Sequence, residues 1–404
     1  MADHPVLTEL LDLHNLRVVH YQLVGSERIN LFVENTLAMA VCPDCEQVSV
    51  EVHETGEPQM VRDLSILGRR CWLHYAPRRF KCSRCGDTFV ERVDWKEPGL
   101  SYTVRYERHV YQRTRREAIT QVAEDEGLSE EAVQGIFERW AQKTVETRGY
   151  PLVKVLCVDE VALHKGHGNY VLVISAPKLG VILDVLEDRS KERLEAWFDA
   201  RGKAWCEYVE VACSDMWDTY QQTFKTKLPN AYRVVDRFHI MKNLNDALTK
   251  ARRSIQNQAD EATKAVLKGC RWLLVKNRED LKDEERQKLD AMLTASPELK
   301  TCYELKESFR NLFNQPLDVE AAEQALLEWI AKVEASGFKA LAAFVNTLRN
   351  WWVQVLNYFK GRHSNGFAEG VNLKIKMINR RGYGYRNFKQ FRLHVLVAFD
   401  PVSR

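Results

Sequence analysis

The stretch Lys154-Val-Leu-Cys-Val-Asp-Glu-Val-Ala-Leu163 decides how the rest of this 404-residue chain is interpreted. It is rich in Val and Leu and too short to favour a helix, so it predicts a buried strand. Asp159 stands in the middle of that strand. A buried carboxylate is costly unless a positive group meets it, and a divalent metal ion is a common remedy that also carries a function. If Asp159 binds such an ion, other carboxylates of the chain must lie close enough to bind it as well.

The segments after this stretch alternate between strands and helices. Strand-like runs occupy 155–163, 170–175, 181–186, 208–214 and 232–236, and helical runs occupy 190–200, 216–224 and the residues from 237 onward. This order is that of a ribonuclease-H-like fold, in which the first and fourth strands are neighbours. The order therefore predicts that Asp159 and Asp215, which follows the fourth strand, lie side by side and share metal.

A long helical region follows, from about residue 243 to residue 344, in which Leu, Ala, Glu and Lys dominate. We expect it to be a helical bundle inserted into the sheet domain. No cluster of residues with obvious chemistry stands out in it. The two tryptophans Trp272 and Trp329 are expected to lie in its core rather than to stack on bases.

The last helix is predicted within 363–381, with Ser364 or Asn365 as its N-cap. Helical spacing gives it a buried apolar stripe, formed by Phe367, Val371, Ile375 and Ile378. Another face of the same helix carries polar groups, namely Asn365, Glu369, Asn372 and Lys376. This face offers one carboxylate among amides and a cation, which suits metal and DNA backbone. A mobile loop is expected at Gly382–Arg386.

Three carboxylates from two strands and a helix, Asp159, Asp215 and Glu369, can hold two Mg²⁺ ions. Such a pair activates a water or a 3′-hydroxyl and stabilises the leaving oxygen of a phosphodiester. Asp236 and His239, one helical turn apart, could orient the flanking phosphate or protonate a leaving group. The alternative is an N-cap aspartate beside a partly buried histidine, and the sequence leaves both open.

Composition places the chain among globular proteins, with 45% hydrophobic and 28% charged residues. It lacks an apolar run of membrane-spanning length and a signal pattern, so a cytoplasmic, nucleoid-associated protein without a membrane partner is expected. The net charge is only +3, but residues 61–120 carry 14 Lys/Arg against 7 Asp/Glu. This basic block indicates a polyanion-facing surface or simply a solvated face.

Four of the ten cysteines form two C-x-x-C pairs, Cys42–Cys45 and Cys82–Cys85. Two such pairs can present four thiolates to one tetrahedral ion, which predicts structural Zn²⁺ rather than redox pairs or buried free thiols. Strand-like runs at 50–53 and 70–74 fill the gap between them. His53 and Cys71 also lie between the pairs, and the sequence leaves open whether either contributes a ligand.

A helix at 116–126, a turn at Gly127 and a helix that starts after Ser129 give the spacing of a helix-turn-helix. The arginines Arg113, Arg115 and Arg116 precede it and are expected to meet DNA phosphates. An ordinary helical hairpin has the same spacing. The neighbouring cysteine pairs and basic block favour DNA binding.

These parts resemble, in order, the ISL3 family of bacterial insertion-sequence transposases. The matching motifs are the two C-x-x-C pairs, Val158-Asp-Glu160, Ser214-Asp215, Asp236-Arg-Phe-His239 and Ser364-Asn-Gly-Phe-Ala-Glu369. The resemblance implies a zinc ribbon, a helix-turn-helix and a DDE catalytic domain split by a helical insertion. It implies that Asp159, Asp215 and Glu369 are the catalytic triad.

The expected fold is therefore multidomain, of mixed α+β and α/β class. The predicted segments are a lead-in and zinc ribbon (1–95), a helix-turn-helix domain (96–150), a first catalytic part (151–243), a helical insertion (244–345) and a last catalytic part (346–404). Asn372, Lys376, Arg380 and Arg381 are expected to join the arginines in contacting DNA. The catalytic group includes Asp236 and His239.

The predicted function is that of a DNA transposase that binds terminal inverted repeats and uses Mg²⁺ to cleave and join strands. Its partners would be double-stranded DNA ends and target, held by a homodimer or larger assembly, because two ends must be kept together. The alternatives are a DNA-binding regulator with a non-catalytic ribonuclease-H-like domain and a hydrolytic metal-dependent nuclease. An intact set of acids argues against the first, whereas the sequence does not separate the second.

Overall fold

The computed structural model describes residues 4–163, 170–269, 271–363 and 366–400, and the side chains of residues 366, 368 and 369 lie outside that description. The chain divides into two compact units, Met1–Thr147 and Arg148–Arg404. Among the described residues, no helix combines the length and apolar character that crossing a lipid bilayer requires.

Residues 4–147 of the first unit, the part that the structure describes, form four helices and nine strands. In chain order these are α1 (Pro5–Leu11), β1 (Leu16–Val24), β2 (Arg28–Asn35), β3 (Ala40–Val41), β4 (Val48–Ser49), β5 (Val52–Thr55), β6 (Gln59–Ile66), β7 (Arg69–Tyr75), β8 (Arg78–Lys81), β9 (Thr88–Val90), α2 (Val104–Thr114), α3 (Ile119–Glu126) and α4 (Glu130–Arg148). The larger sheet has the order β1-β2-β7-β6, and smaller sheets pair β3 with β4 and β5 with β8 and β9.

In the lead-in, β1 and β2 pair antiparallel around the Gly25 turn. The strands expected between the cysteine pairs are also present, as β5 and β7. The sequence did not predict β6, which pairs with β7 in the same sheet. Cys71 is fully buried in the core beneath that sheet, so it packs rather than faces the other cysteines.

The helical part of the first unit is a three-helix arrangement. The first helix, α2, was not predicted, and Arg113 lies within it instead of in a lead-in segment. Gly127 ends α3 with φ +63°, a left-handed conformation that glycine adopts without steric cost. The Ser129 hydroxyl accepts a hydrogen bond from the backbone N–H of Ala132 at 3.2 Å, which confirms Ser129 as the cap of α4.

The second unit opens on a five-stranded sheet and continues almost entirely as helix. Its elements are β10 (Val155–Ala162), β11 (Tyr170–Ala176), β12 (Val181–Leu186), α5 (Lys191–Arg201), α6 (Lys203–Tyr208), β13 (Val211–Ser214), α7 (Asp218–Lys227), β14 (Tyr232–Val235), α8 (Arg237–Gln258), α9 (Glu261–Leu267), α10 (Arg271–Val275), α11 (Asp283–Ala295), α12 (Pro297–Asn314), α13 (Val319–Ser336), α14 (Lys339–Asn350), α15 (Trp352–Leu356), α16 (Tyr358–Gly361), α17 (Gly366–Arg381) and α18 (Phe388–Ala398).

The sheet of the second unit has the order β12-β11-β10-β13-β14. β10, β11 and β12 pair antiparallel, whereas β10, β13 and β14 run parallel. The predicted adjacency of the first and fourth strands is therefore confirmed. One boundary was wrong, because Tyr208 ends a helix and the fourth strand starts only at Val211.

Two hydrophobic clusters lie on opposite faces of this sheet. Val155 and Cys157 of β10 point into a cluster that α8 and the later helices share. Leu156 and Val158 point into the other cluster, beside α5 and α7. Since side chains alternate along a strand, odd-numbered positions of β10 face the long helical region.

The long helical region contains the first of these clusters, and its two tryptophans differ. Trp329 is 3% exposed, as expected of a core residue. Trp272 is 70% exposed, so the expectation that it lies in the core was wrong. Its helix, α10, has only five residues, and the buried side chains of that helix are the adjacent Leu273 and Leu274.

Candidate active site

Asp159 and Glu160 are neighbours in sequence, and the alternation of β10 sends them to opposite faces of the sheet. Asp159 is on the odd-numbered face, toward the long helical region. Its Oδ1 accepts a hydrogen bond from the backbone N–H of Glu160 at 2.8 Å. This bond fixes the carboxylate, and with 14% of its surface exposed the side chain still reaches solvent.

Glu160 is fully engaged by groups on the other face. Its carboxylate pairs with Arg189 at 2.7 Å and accepts a hydrogen bond from the Tyr220 hydroxyl at 2.8 Å. The Arg189 guanidinium lies between the rings of Tyr170 and Trp217, at 4.9 and 4.7 Å from their centroids. The sequence argument missed this network. The alternating strand pattern could have signalled it, because two adjacent acids cannot face the same side.

Asp215 follows the last residue of β13, the parallel neighbour of β10. Its Oδ1 lies 3.0 Å from Nδ1 of His239, in the first turn of α8. The same imidazole places Nε2 4.0 Å from Oδ1 of Asp159. A single ring thus lies between the two predicted catalytic aspartates, so the structure brings three of the predicted residues together.

The charges in this pocket reinforce one another. Burial opposes ionisation of Asp215, but the hydrogen bond and positive charge of His239 outweigh it and hold the pKa of Asp215 below its usual range. Burial also disfavours the charged imidazole, yet the hydrogen bond to Asp215 and the charges of Asp215 and Asp159 raise the pKa of His239. The pocket is therefore built to hold positive charge.

Asp236 has a different position from the other acids. It is 5% exposed and caps α8, where its carboxylate accepts a hydrogen bond from the backbone N–H of Phe238 at 3.4 Å. An N-cap fixes the first turn of a helix, and this turn carries His239. Its negative charge also contributes to the raised pKa of His239. The structure thus gives Asp236 the capping geometry that the sequence left open.

Helix α17 brings amide groups to the same strand. Asn372 donates from Nδ2 to Oδ2 of Asp159 at 2.9 Å. Asn379, two turns later, is 7% exposed and donates to the backbone carbonyl of Leu163 at 3.4 Å, just past the end of β10. Three members of the predicted apolar stripe, Val371, Ile375 and Ile378, are buried, whereas the fourth, Phe367, is only half-buried. These contacts fix one face of α17 against β10.

Glu369 belongs to α17, one turn before Asn372, and its side chain lies outside the described residues. The predicted cap residues Ser364 and Asn365 also lie outside them. Helical register places position 369 on a face close to that of Asn372. The role of Glu369 therefore stays a prediction.

The donors of the pocket fit a divalent ion. Asp159 and Asp215 supply hard carboxylate oxygens of the kind Mg²⁺ prefers. The amide oxygen of Asn372 is buried and has no hydrogen-bond partner among the described residues, so it is a further oxygen left to be satisfied. Within the described residues, these groups could hold a metal ion of the class the sequence predicts.

The cysteine pairs form a second, separate site in the first unit. One ligand atom from each of the predicted cysteines lies within 4.8 Å of all the others, in the set Cys42, Cys45, Cys82 and Cys85. The Sγ atoms of Cys45 and Cys82 are 3.6 Å apart. Tetrahedral zinc with Zn–S bonds of about 2.3 Å requires sulfur atoms about 3.8 Å apart.

Both cysteine turns are built alike. In each, the N–H of the first cysteine donates to the carbonyl five residues later at 2.9 Å, and the residue four positions on donates back at 3.0 Å. That residue is left-handed in both turns, as Glu46 in the first and Gly86 in the second. The backbone N–H of Cys85 lowers the pKa of Cys82 to about 6, whereas the hydrogen bond with Cys45 raises the pKa of Cys85 to about 12, so the turn favours a thiolate at Cys82 and a thiol at Cys85.

Comparison with known families shows to which protein family this chain belongs. A transposase family model of the ISL3 DDE type matches residues 156–395, more than half of the chain. This chain belongs to the ISL3 family of DNA transposases. Models for the zinc finger of transposases IS204/IS1001/IS1096/IS1165 and for the helix-turn-helix domain of transposase family ISL3 match residues 39–85 and 91–141.

Individual relatives agree with the family. The transposase is 29% identical to the transposase for insertion sequence element IS1001 of Bordetella parapertussis, over 93% of each chain. It is 24% identical to the transposase for insertion sequence element IS1557 from two strains of Mycobacterium tuberculosis, over 76% of this chain and 74% of theirs. The resemblance inferred from the motifs is thereby confirmed.

The structure of the transposase argues against one predicted DNA contact. The Arg113 guanidinium pairs with Glu117 at 2.5 Å, with Glu126 at 3.0 Å and with Asp125. Three carboxylates leave it little capacity for a phosphate. The spacing of the sequence could not reveal this, because α3 had to fold back on α2 to bring two of the acids there.

The other two arginines of this set differ in exposure. Arg115 is half-buried, with its guanidinium 6.0 Å from the Tyr111 ring centroid. Arg116 is exposed, and no ion pair to it is found in the described part of the transposase. Arg116 therefore remains the better placed of the three for a phosphate.

The basic residues of α17 are also unequal. Lys376 and Arg380 are exposed. Arg381 is half-buried, and burial together with the nearby charge of Arg381 lowers the pKa of His394 on α18. Asn372 is half-buried and donates to Asp159, which is at odds with its predicted role as a DNA contact.

Proposed function

We propose that this transposase cleaves and joins DNA strands at a metal site formed by Asp159, Asp215 and Glu369, within a ribonuclease-H-like domain that the helical segment 244–345 interrupts. The observation that carries the proposal is the convergence of Asp159 and Asp215. They come from adjacent parallel strands, face the same side of the sheet and share one imidazole. The sheet order and the long helical region support the fold assignment.

Each group in the pocket has a distinct task. When bound, Mg²⁺ would polarise the phosphodiester and lower the pKa of the attacking water or 3′-hydroxyl. Asp159 and Asp215 supply the negative charge that holds the metal. His239 holds a proton beside both carboxylates and can deliver it from Nε2 to a leaving oxygen. Asp236 keeps the first turn of α8 in place, so that His239 stays aimed at the pocket.

DNA recognition is assigned to the first unit and to α17. The zinc ribbon (1–95) and helix-turn-helix (96–150) would bind the terminal repeats, with structural Zn²⁺ held by the four cysteines. Arg116, Lys376 and Arg380 are the exposed cations best placed for phosphates. Joining requires two ends and a target in one complex, so we expect at least a homodimer on DNA.

The proposal is tested on the full-length chain with duplexes that carry the terminal repeats of its insertion sequence. Asp159→Asn, Asp215→Asn and Glu369→Gln should each abolish Mg²⁺-dependent cleavage and joining, while end binding in a gel-shift assay persists. Asp218→Asn removes an exposed acid three residues after Asp215 and should leave cleavage unchanged. Removal of divalent ions by a chelator should stop the wild-type reaction.

The products distinguish the rival functions. A transposase yields both cleaved ends and strands joined to a target duplex. A hydrolytic nuclease would yield cleaved ends and no joined product under any metal condition. A regulator would bind the ends and cleave nothing. Full cleavage by any of the three acid variants would remove the assigned site.

A further inference from the structure

The carboxamide of Asn372 is oriented into the pocket. Its Nδ2 donates to Oδ2 of Asp159 at 2.9 Å, while its Oδ1 is buried and has no hydrogen-bond partner in the described part of the chain. An amide that serves a DNA phosphate would present its N–H groups to solvent. Here one N–H is already committed to a carboxylate, and the oxygen remains to be satisfied.

The orientation of this amide is fixed by charge. A carboxylate accepts hydrogen bonds from the N–H groups of an amide and repels its oxygen. The Oδ1 atom of Asn372 must therefore point away from the Asp159 carboxylate. The Glu160 backbone N–H occupies the other carboxylate oxygen at 2.8 Å. Two donors, one on each oxygen, set the plane of the Asp159 carboxylate, and each oxygen keeps a second lone pair for a further partner.

The helix that carries Asn372 cannot easily shift. Val371 and Ile375, on either side of it, are 2% and 0% exposed. Asn379 adds a second bond to the same strand, through the Leu163 carbonyl at 3.4 Å. The separation between Asn372 and Asp159 is therefore set by packing over two helical turns and does not depend on a single side-chain contact.

We propose that Asn372 is a positioning residue for Asp159, and that its free amide oxygen faces a divalent cation or one of the waters the cation carries. This inference rests on the proposed metal site. An amide oxygen is a hard, neutral donor that suits Mg²⁺ or its water shell. Partners that orient a ligand in this way are worth about 10- to 100-fold in metal affinity or activity.

The test compares Asn372→Leu with Lys376→Leu in the full-length chain. Both substitutions lie on α17, one turn apart, and Lys376 is the exposed phosphate candidate. For Asn372→Leu we expect the Mn²⁺ dissociation constant, measured by calorimetry, to rise about 10- to 100-fold. Its affinity for end DNA and the salt dependence of that affinity should not change. Lys376→Leu should keep the Mn²⁺ affinity and reduce the salt slope by about 1.

The opposite pattern would overturn the inference. If Asn372→Leu weakens DNA binding with a smaller salt slope and keeps the Mn²⁺ affinity, Asn372 contacts DNA.

A second variant, Asn372→Asp, guards against a simple folding defect, because it keeps the shape of the side chain. It should bind Mn²⁺ more tightly than wild type, with a larger metal-induced rise in Tm, since two carboxylates would then face each other without metal. An unchanged metal response in Asn372→Asp would also contradict the inference.

Asp159→Asn separates this inference from the site on which it rests. Loss of Mn²⁺ binding in Asp159→Asn together with normal binding in Asn372→Leu would refute only the role of Asn372. Normal Mn²⁺ binding in Asp159→Asn would refute the metal site itself. The expected result is loss of Mn²⁺ binding in Asp159→Asn and an affinity about 10- to 100-fold weaker in Asn372→Leu.

Discussion

At the scale of single residues, two neighbouring acids have opposite fates because of strand geometry. Asp159 faces His239 and Asn372, whereas Glu160 is neutralised by Arg189 and hydrogen-bonded by Tyr220. A carboxylate already paired at 2.7 Å with a guanidinium is a poor ligand for a metal ion. The alternation of side chains along β10 thus makes Asp159, and not Glu160, the candidate metal ligand.

The cysteine cluster makes a prediction about metal content. Wild-type protein should carry one zinc per chain by elemental analysis, and Cys45→Ser or Cys85→Ser should lose it, because a tetrahedral site with three thiolates binds zinc far more weakly. The matched controls are Cys71→Ala, which changes a buried core residue, and His53→Ala, which changes an exposed one. Both should keep one zinc. A Cys85→Ser chain with a full equivalent would contradict the four-cysteine site.

Residue types and spacing predicted that Asp159 lies near Asp215 and that four cysteines cluster, and both groupings are present. The place of Glu369 in the site stays a prediction. The same reasoning could not settle Arg113 or Asn372. Whether Arg113 is free depends on Asp125 and Glu126, which reach it only after α3 folds against α2. The direction of Asn372 depends on where α17 docks against β10, which helical spacing alone does not give.

At the scale of elements, helix length decided how well burial could be predicted. Trp329 lies in the 18-residue helix α13, where buried residues recur at helical spacing through Leu326 and Val333. Its indole N–H donates to the Leu305 carbonyl at 2.8 Å. Trp272 lies in the five-residue α10, too short for any periodic pattern. The large apolar side chain of Trp272 was not by itself enough to predict whether the residue is buried.

The two tryptophans give a paired stability prediction. Trp329→Ala should lower the free energy of unfolding by about 3–5 kcal/mol, because it leaves a cavity and an unpaired carbonyl in the core. Trp272→Ala should change it by no more than about 0.5 kcal/mol, as is usual for exposed sites. Urea denaturation followed by circular dichroism measures both. Equal losses would contradict the described burial of these residues.

Elements with a strong period were predicted, and those without one were missed. Between 155 and 237, the five strands and helices α5 and α7 were predicted with small boundary errors, because each strand is a short apolar run between turns. Helix α6 (Lys203–Tyr208) was missed. Helix α2 was missed, since its sequence is crowded with charged and aromatic residues. Three of these, Tyr106, Glu107 and Tyr111, are buried, which propensity alone does not reveal.

At the scale of the whole molecule, the catalytic proposal depends on sheet topology. Asp159 and Asp215 are far apart in sequence, and the parallel pairing of β10 with β13 brings them to the same place. The long helical region separates both from α17, which nevertheless returns to β10 through Asn372 and Asn379. The proposed metal site can form only when β10, β13 and α17 of the second unit are folded together.

The most direct test of the central claim is the anomalous signal of Mn²⁺ in crystals of the transposase with its end DNA. We expect a peak within bonding distance, about 2.2 Å, of carboxylate oxygens from both Asp159 and Asp215. The Glu369 carboxylate should contribute to the same site. Manganese bound elsewhere, with Asp159 and Asp215 in contact only with protein groups in a crystal that still cleaves its DNA, would contradict the account.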